Sequence, residues 1–199
     1  MTVLLPMTRP DQRIGLLGGS FDPAHSGHVQ ITLEALKRFQ LNQVWWLVSP
    51  GNPLKKIGPA PLSDRLAHAR HLMQHPRVHV TGTEAAFHTR FTVDTLEALQ
   101  TLVPMVQFCW LMGADNMATI HRWDRWPQIF HQMPVGVLAR PGSRQSALHS
   151  PAARRFRDCR VPGRALMTYS APAWSFVNVP MSPQSSTALR RAGAWNTLD

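Results

Sequence analysis

Apolar positions along the chain follow two alternating rhythms. Short, nearly continuous runs such as Ile14-Gly15-Leu16-Leu17, Val44-Trp45-Trp46-Leu47-Val48 and Val135-Gly136-Val137-Leu138-Ala139 read as strands. Between them, apolar residues recur at helical spacing, as from Val29 through Ile31, Leu33, Ala35 and Leu36 to Phe39. The pattern predicts strands near 14–17, 44–48, 78–81, 108–112, 135–139 and 176–179, and helices near 27–40, 63–74, 93–102 and 115–120. Strands alternating with helices argue for a doubly wound α/β fold, a parallel sheet with right-handed crossovers. Ser63, followed by Asp64, is expected to cap its helix, and Thr92 or Thr89 the next. From 141 to 173 Pro, Ser, Gly and Arg dominate and the periodicity fades, which predicts a long irregular excursion with a short helix around 152–157.

The first strand-to-helix junction carries the chemistry. Gly18-Gly19-Ser20-Phe21-Asp22-Pro23-Ala24-His25-Ser26-Gly27-His28 joins a pair of glycines to two histidines at i and i+3. By themselves the glycines signal only a tight backbone turn. With unpaired N–H groups at a helix start, however, they would let a phosphate approach closely, and His25 and His28 on the first helical turn could both donate to its oxygens. Such a site stabilises charge and supplies no nucleophile. The spacing is neither that of a Walker A loop nor that of a GxGxxG dinucleotide turn.

Bulk properties narrow the setting. The 199 residues, 44% of them hydrophobic, suffice for one good-sized core, which predicts a single domain over 1–199 with its core at about 12–190. No apolar run approaches a membrane span and the N-terminus does not read as a signal peptide, so a cytoplasmic location is expected. Cys109 and Cys159 show no disulfide or zinc spacing and are read as packing residues. A net charge of +10, from 21 Lys and Arg against 11 Asp and Glu, fits steering of polyanionic substrates plus a solvated basic face. No nucleic-acid-binding signature accompanies the Arg154-Arg155-Phe156-Arg157 run, so no nucleic-acid partner is expected.

Gly-Ser-Phe-Asp-Pro-x-His-x-Gly-His resembles the signature of the HxGH nucleotidyltransferase superfamily. The doubled Gly18-Gly19 with His25 is similar to its nicotinate-nucleotide adenylyltransferase branch. The resemblance implies a Rossmann-like nucleotidyltransferase fold. It also implies an ATP site formed by Gly18, Gly19, Ser20, Phe21, His25 and His28. Near the C-terminus, Ser185-Ser186-Thr187-Ala188-Leu189-Arg190 reads on composition as a polar helix start. It is similar to the family's Ile-Ser-Ser-Thr-x-Ile-Arg triphosphate motif, with Gln184 replacing the first Ile. Arg140-Pro141-Gly142 resembles the family's Arg-Pro-Gly near the adenine pocket.

For the second substrate, Gly19 and Ser20 are joined by Asn52, Lys55 and Lys56 of a Pro/Gly loop similar to the family's Asn-Pro-Pro-His-Lys, in which either lysine could take a phosphate. Thr92 matches the end of the family's Ser-Tyr-Thr segment, whose backbone reads a nicotinate carboxylate, with Phe91 in place of Tyr. Asp115 matches a residue near the riboses, and Trp123, followed by Asp124, the tryptophan that stacks on the nicotinate ring. By composition alone Trp123 is a core residue and the lysines are exposed turn residues.

The resemblance thus implies transfer of adenylyl from ATP to nicotinate mononucleotide, a step of NAD biosynthesis, with His25, His28 and Arg190 catalytic. Mg²⁺ would travel with ATP and need no protein metal site. The alternatives are an adenylyltransferase for nicotinamide mononucleotide or another phosphate acceptor, and a nucleotide- or nucleic-acid-binding module without turnover. A homo-oligomer is compatible with this reading.

Overall fold

In the computed structural model the described residues are 5–51, 58–139, 144–179 and 186. Six strands form one sheet: β1 (Arg13–Gly19), β2 (Gln43–Val48), β3 (Val78–Thr81), β4 (Gln107–Gly113), β5 (Val135–Ala139) and β6 (Trp174–Asn178). Every pairing is parallel and the order is β3-β2-β1-β4-β5-β6. β1 and β4 are therefore neighbours in the sheet although far apart in sequence, and the winding reverses between them. In open α/β sheets this reversal opens a crevice beyond the carboxyl ends of the strands.

Helices cover both faces: α1 (Ser26–Arg38), α2 (Leu62–Leu72), α3 (Thr83–Ala86), α4 (Thr92–Leu102), α5 (Ala114–Thr119), α6 (Trp126–Gln132), α7 (Arg144–Leu148) and α8 (Pro151–Arg155). Alternate strand residues supply two separate cores. Ile14, Leu16, Trp45, Leu47, Trp110, Val135 and Val137 meet α4, α5 and α6 through Leu96, Met117 and Phe130. Leu17, Trp46, Val48, Leu111 and Leu138 meet α1 and α2 through Ile31, Ala35, Phe39 and Ala69. Double-sided burial is why the strands read as unbroken apolar runs.

Several boundaries depart from expectation. The stretch 141–173 holds α7, α8 and two 3-10 segments, Arg157–Cys159 and Gly163–Thr168, rather than one long irregular excursion. Short helices that bury only small residues, Ala147 in α7 and Ala152 and Ala153 in α8, leave little periodicity to read. α2 starts earlier than expected, with Pro61 rather than Ser63 at its N-cap. α4 has Phe91 at its N-cap and no side-chain cap, so neither Thr92 nor Thr89 serves. Thr92 is already helical, and the Thr89 hydroxyl lies 2.7 Å from that of Thr95. Cys109 is buried and unpaired, its thiol pushed up to about 12 by desolvation, as a packing residue would be.

Candidate active site

Gly18 and Gly19 do not form the expected turn. They are the last residues of β1, in register with Leu47 and Val48 of β2. A Cβ at Gly18 would collide with the Trp110 indole of β4, so that glycine makes room for packing rather than for a phosphate. The turn itself runs from Ser20 to Ala24. It contains a cis Asp22–Pro23 bond and a left-handed Phe21 (φ 46°), a conformation of order 1–3 kcal/mol in cost that the surroundings must impose. They do so by holding the buried Phe21 ring stacked on Trp46 (4.7 Å, 16°) and tilted against His28 (4.8 Å).

The two histidines begin α1 as a capping box. His25 is the N-cap, and its Nδ1 accepts from the Gly27 N–H at 3.1 Å. His28 Nδ1 in turn accepts from the His25 N–H at 3.2 Å. This reciprocal arrangement explains the three-residue spacing, with histidines in place of the usual Ser/Thr and Glu. It also corrects the expectation of unpaired backbone donors, because the histidines occupy two of them. A backbone N–H can only donate, so each Nδ1 is the acceptor and the proton of a neutral ring stands on Nε2. The rings lie 4.0 Å apart, and His25 is 4% exposed. A chain of bonds fixes His28 from below: Trp46 Nε1 donates to Thr32 Oγ1 (2.7 Å), which donates to the His28 carbonyl (2.8 Å).

Ser186 joins this turn from the other end of the chain, its hydroxyl donating to the Pro23 carbonyl at 2.9 Å. Ser186 of the C-terminal hydroxyl motif is therefore docked on the turn that leads to the histidines. Arg140, Ser185, Thr187, Arg190, Asn52, Lys55 and Lys56 lie outside the described residues.

The residues expected around a pyridine ring gather beside β4. Asp115 is exposed at the start of α5, its carboxylate folded back over Gly113 at the end of β4. Trp123 is half-buried and meets Trp110 edge-on at 6.4 Å, so Trp110 links Gly18 to Trp123 across the reversal point. Asp124 pairs with Arg125 (2.6 Å), which also pairs with Asp94 of α4 (2.8 Å) and lies over the Phe91 ring. These bonds raise the Arg125 pKa, Asp124 contributing most, but the groups are largely exposed and hold the loop by little. The Arg125–Asp94 pair places the Trp123–Asp124 segment beside the start of α4. There the N–H groups of Thr92 and Val93 have no hydrogen-bond partner among the described residues, since the first acceptor, the Phe91 carbonyl, takes Asp94 and Thr95.

Two site residues escape the sequence patterns. Arg125 looks like one more surface arginine. Arg65, in the polar stretch Ser63-Asp64-Arg65, is only 1% exposed and donates to carbonyls of Ser20, Ser49, Pro50 and Ala60. Burial lowers its pKa, and the Asp22 carboxylate partly offsets this. No local signal marks either residue.

Comparison with known proteins agrees with this geometry. The family model described as cytidylyltransferase-like matches residues 16–192. A protein of Ruegeria pomeroyi named "Probable nicotinate-nucleotide adenylyltransferase" is 59% identical, over 96% of this chain and 91% of that protein. One of the same name from Cereibacter sphaeroides is 60% identical, over 92% and 98%. A solved Plasmodium falciparum nicotinic acid mononucleotide adenylyltransferase, complexed with NaAD, superposes with a TM-score of 0.68 over 90% of this chain and 83% of that one; at 16% identity it shows the shared fold. With a doubly wound sheet, a histidine-capped first helix at the reversal point and relatives of this closeness, the chain belongs to the cytidylyltransferase-like family and, within it, to the nicotinate-nucleotide adenylyltransferases.

Proposed function

We propose that this protein transfers the adenylyl group of ATP to nicotinate mononucleotide, giving nicotinate adenine dinucleotide and pyrophosphate. The observation that carries the reading is the His25–His28 box beyond the end of β1 with Ser186 docked on the same turn. The names of the close relatives support the choice of reaction.

An oxygen of the mononucleotide 5′-phosphate attacks the α-phosphorus of ATP in line, and the bond to the pyrophosphate oxygen breaks. The attacking phosphate is already anionic near neutral pH, so no base is needed. The protein's contribution is alignment and charge stabilisation. His25 and His28 present Nε2 protons to the ATP phosphates, and His28 faces the α-phosphate, where charge shifts during transfer. Phe21 and the Ser20 backbone shape the turn. Ser185, Ser186, Thr187 and Arg190 hold the β- and γ-phosphates, while Arg140 lies by the adenine. Asn52 and Lys55 or Lys56 take the mononucleotide phosphate, Asp115 a ribose hydroxyl, and Trp123 the pyridine face beside Asp124. The unpaired N–H groups at Thr92 and Val93 take the ring carboxylate.

A divalent metal ion accompanies ATP in this chemistry, and Mg²⁺ is the ion we assign. Among the described residues no three His, Cys, Asp or Glu side chains gather as a cage, and Asp22 is engaged by the Ala60 N–H and Arg65. That donor set suits an ion held by phosphate oxygens and water. When bound, it neutralises the triphosphate charge. We place the reaction in the cytoplasm; among the described residues no helix is long and apolar enough to cross a membrane.

Pyrophosphate release with nicotinate and nicotinamide mononucleotide tests the assignment. A ring amide brings its own N–H₂ toward the Thr92 and Val93 donors and leaves one badly paired. The acid is expected to be favoured by about 2 kcal/mol, roughly thirtyfold in kcat/KM. Equal values, or an amide preference, would overturn the substrate while leaving adenylyl transfer intact.

A further inference from the structure

We propose that Arg65 is a positioning residue for adenylyl transfer, fixing the phosphate turn after β1 against the loop that leaves β2. This rests on the functional reading above.

Arg65 Nε donates to the Ala60 carbonyl (2.7 Å), Nη1 to those of Ser20 and Ser49 (both 2.7 Å), and Nη2 to that of Pro50 (3.2 Å). One planar guanidinium thus joins four carbonyls from three chain segments. Ser20 sits between Gly19 and Phe21 of the phosphate turn. Ser49 and Pro50 follow β2, and the Ser49 N–H donates to the Gly19 carbonyl at 2.9 Å. Ala60 precedes α2. One helical turn beyond Arg65, on the same face of α2, His68 Nε2 lies 3.0 Å from the carbonyl of Ala24, the residue before His25. Through Arg65 and His68, α2 holds both ends of the turn, Ser20 and Ala24.

The four bonds stabilise the fold by pairing carbonyls that would otherwise lack a partner, but a stabilising role alone does not require this geometry. Burial of the guanidinium is costly, and desolvation is the largest influence on its pKa. What an apolar side chain cannot supply is a rigid fork that sets distances among four carbonyls. In-line transfer depends on those distances. The turn carries the ATP-facing histidines, and the loop after β2 leads into the segment assigned to the mononucleotide phosphate. A change in their separation misaligns the attacking oxygen and the α-phosphorus even when both substrates bind. A 1 Å error of this kind costs on the order of 10²-fold in rate.

Arg65→Lys is the informative variant, because lysine keeps the charge but donates from a single point and cannot span the four acceptors. Ala69→Gly, at a buried position of the same helix, is the control for simple loosening of α2. All three proteins are assayed by pyrophosphate release at one temperature, about 20 °C below the lowest of their Tm values and so well outside every unfolding transition. Arg65→Lys is expected to lose at least about tenfold in kcat with both KM values within about threefold of wild type, while Ala69→Gly keeps at least half the wild-type kcat. The proposal is overturned if Arg65→Lys loses less than tenfold in kcat, if its KM values carry the loss, if Ala69→Gly loses as much, or if Arg65→Lys does not fold even at 10 °C, which would make the residue structural. An inactive wild type would sink the functional proposal and this one together; an active wild type with an equally active Arg65→Lys sinks this one alone.

Discussion

α1 and α4 both begin beside the crevice, and they deal with their first-turn donors in opposite ways. At α1 the N-cap side chain accepts from Gly27 and the His28 side chain accepts from the His25 N–H, so the cap is closed by the residues proposed to face the ATP phosphates. At α4 the N-cap is Phe91, which has no side-chain acceptor, and the N–H groups of Thr92 and Val93 stay without a partner among the described residues. A capped start offers an anion its capping side chains, here imidazole Nε2. An uncapped one offers its backbone. The first suits charge that moves during reaction, because side-chain donors can be placed around a phosphate. The second suits a fixed planar carboxylate met by two neighbouring N–H groups. Forgoing a side-chain cap at α4 costs about 1 kcal/mol of helix stability, which a ligand would recover on binding.

The largest expected effect comes from breaking the closed start. His28→Ala removes the Nε2 donor and also the Nδ1 acceptor for the His25 N–H. Loss of a donor aimed at transition-state charge is expected to lower kcat by about 10²-fold or more, while loss of the cap lowers stability by only about 1 kcal/mol. Steady-state kinetics beside a thermal melt separate the two. A folded variant with near-normal turnover would leave His28 a capping residue and nothing more.

The open start is sharpened by removing one N–H without disturbing the helix. Thr92→Pro does this, since proline is favoured at the first helical position and Phe91, at φ −113° and ψ 145°, already has the backbone that a following proline requires. If the Thr92 N–H reads the ring carboxylate, the preference for nicotinate over nicotinamide mononucleotide is expected to shrink by roughly tenfold, about the worth of one hydrogen bond to a charged group. Thr92→Ala keeps the N–H and is expected to keep the preference. An undiminished ratio in the proline variant would move carboxylate recognition elsewhere.

These two helix starts also show where sequence reading succeeds. The strands of the parallel sheet are legible because each is buried on both faces, and β3 and β5 fall on the expected residues. The histidine motif is legible because it is local: N-cap, glycine and third helical residue lie within one turn. Gly18 is harder, as its reason is Trp110, a neighbour only once β4 pairs with β1. Arg65 is illegible for the same reason. Its four acceptors are backbone carbonyls of segments up to 45 residues away, and backbone carries no residue-type signal. The uncapped start of α4 is hidden in the sequence because Thr89 and Thr92 are good cap residues by type, while the chain places Phe91 at the cap.

The smallest expected effect concerns what lies under the open start. α4 rests on α3 through Thr89, whose N–H and hydroxyl donate to the Glu84 carbonyl and whose hydroxyl meets Thr95. The Glu84 carboxyl is pushed up to about 7 by burial, from an ordinary value of 4.5. Below pH 4.5 it is protonated folded or unfolded. Between 4.5 and 7 the unfolded chain has lost the proton and the folded one keeps it, so stability falls as pH rises across this window; above 7 both are ionised and the full penalty remains. Glu84→Gln removes the charge and most of the dependence. The variant is expected to melt about 3–6 °C above wild type at pH 8 and level with it near pH 4.5, because partial solvent access keeps the penalty modest. The added stability lies in α3, so the acid preference proposed for Thr92 and Val93 is expected to be unchanged. A melting difference that is the same at both pH values would mean that the carboxyl ionises normally in the fold.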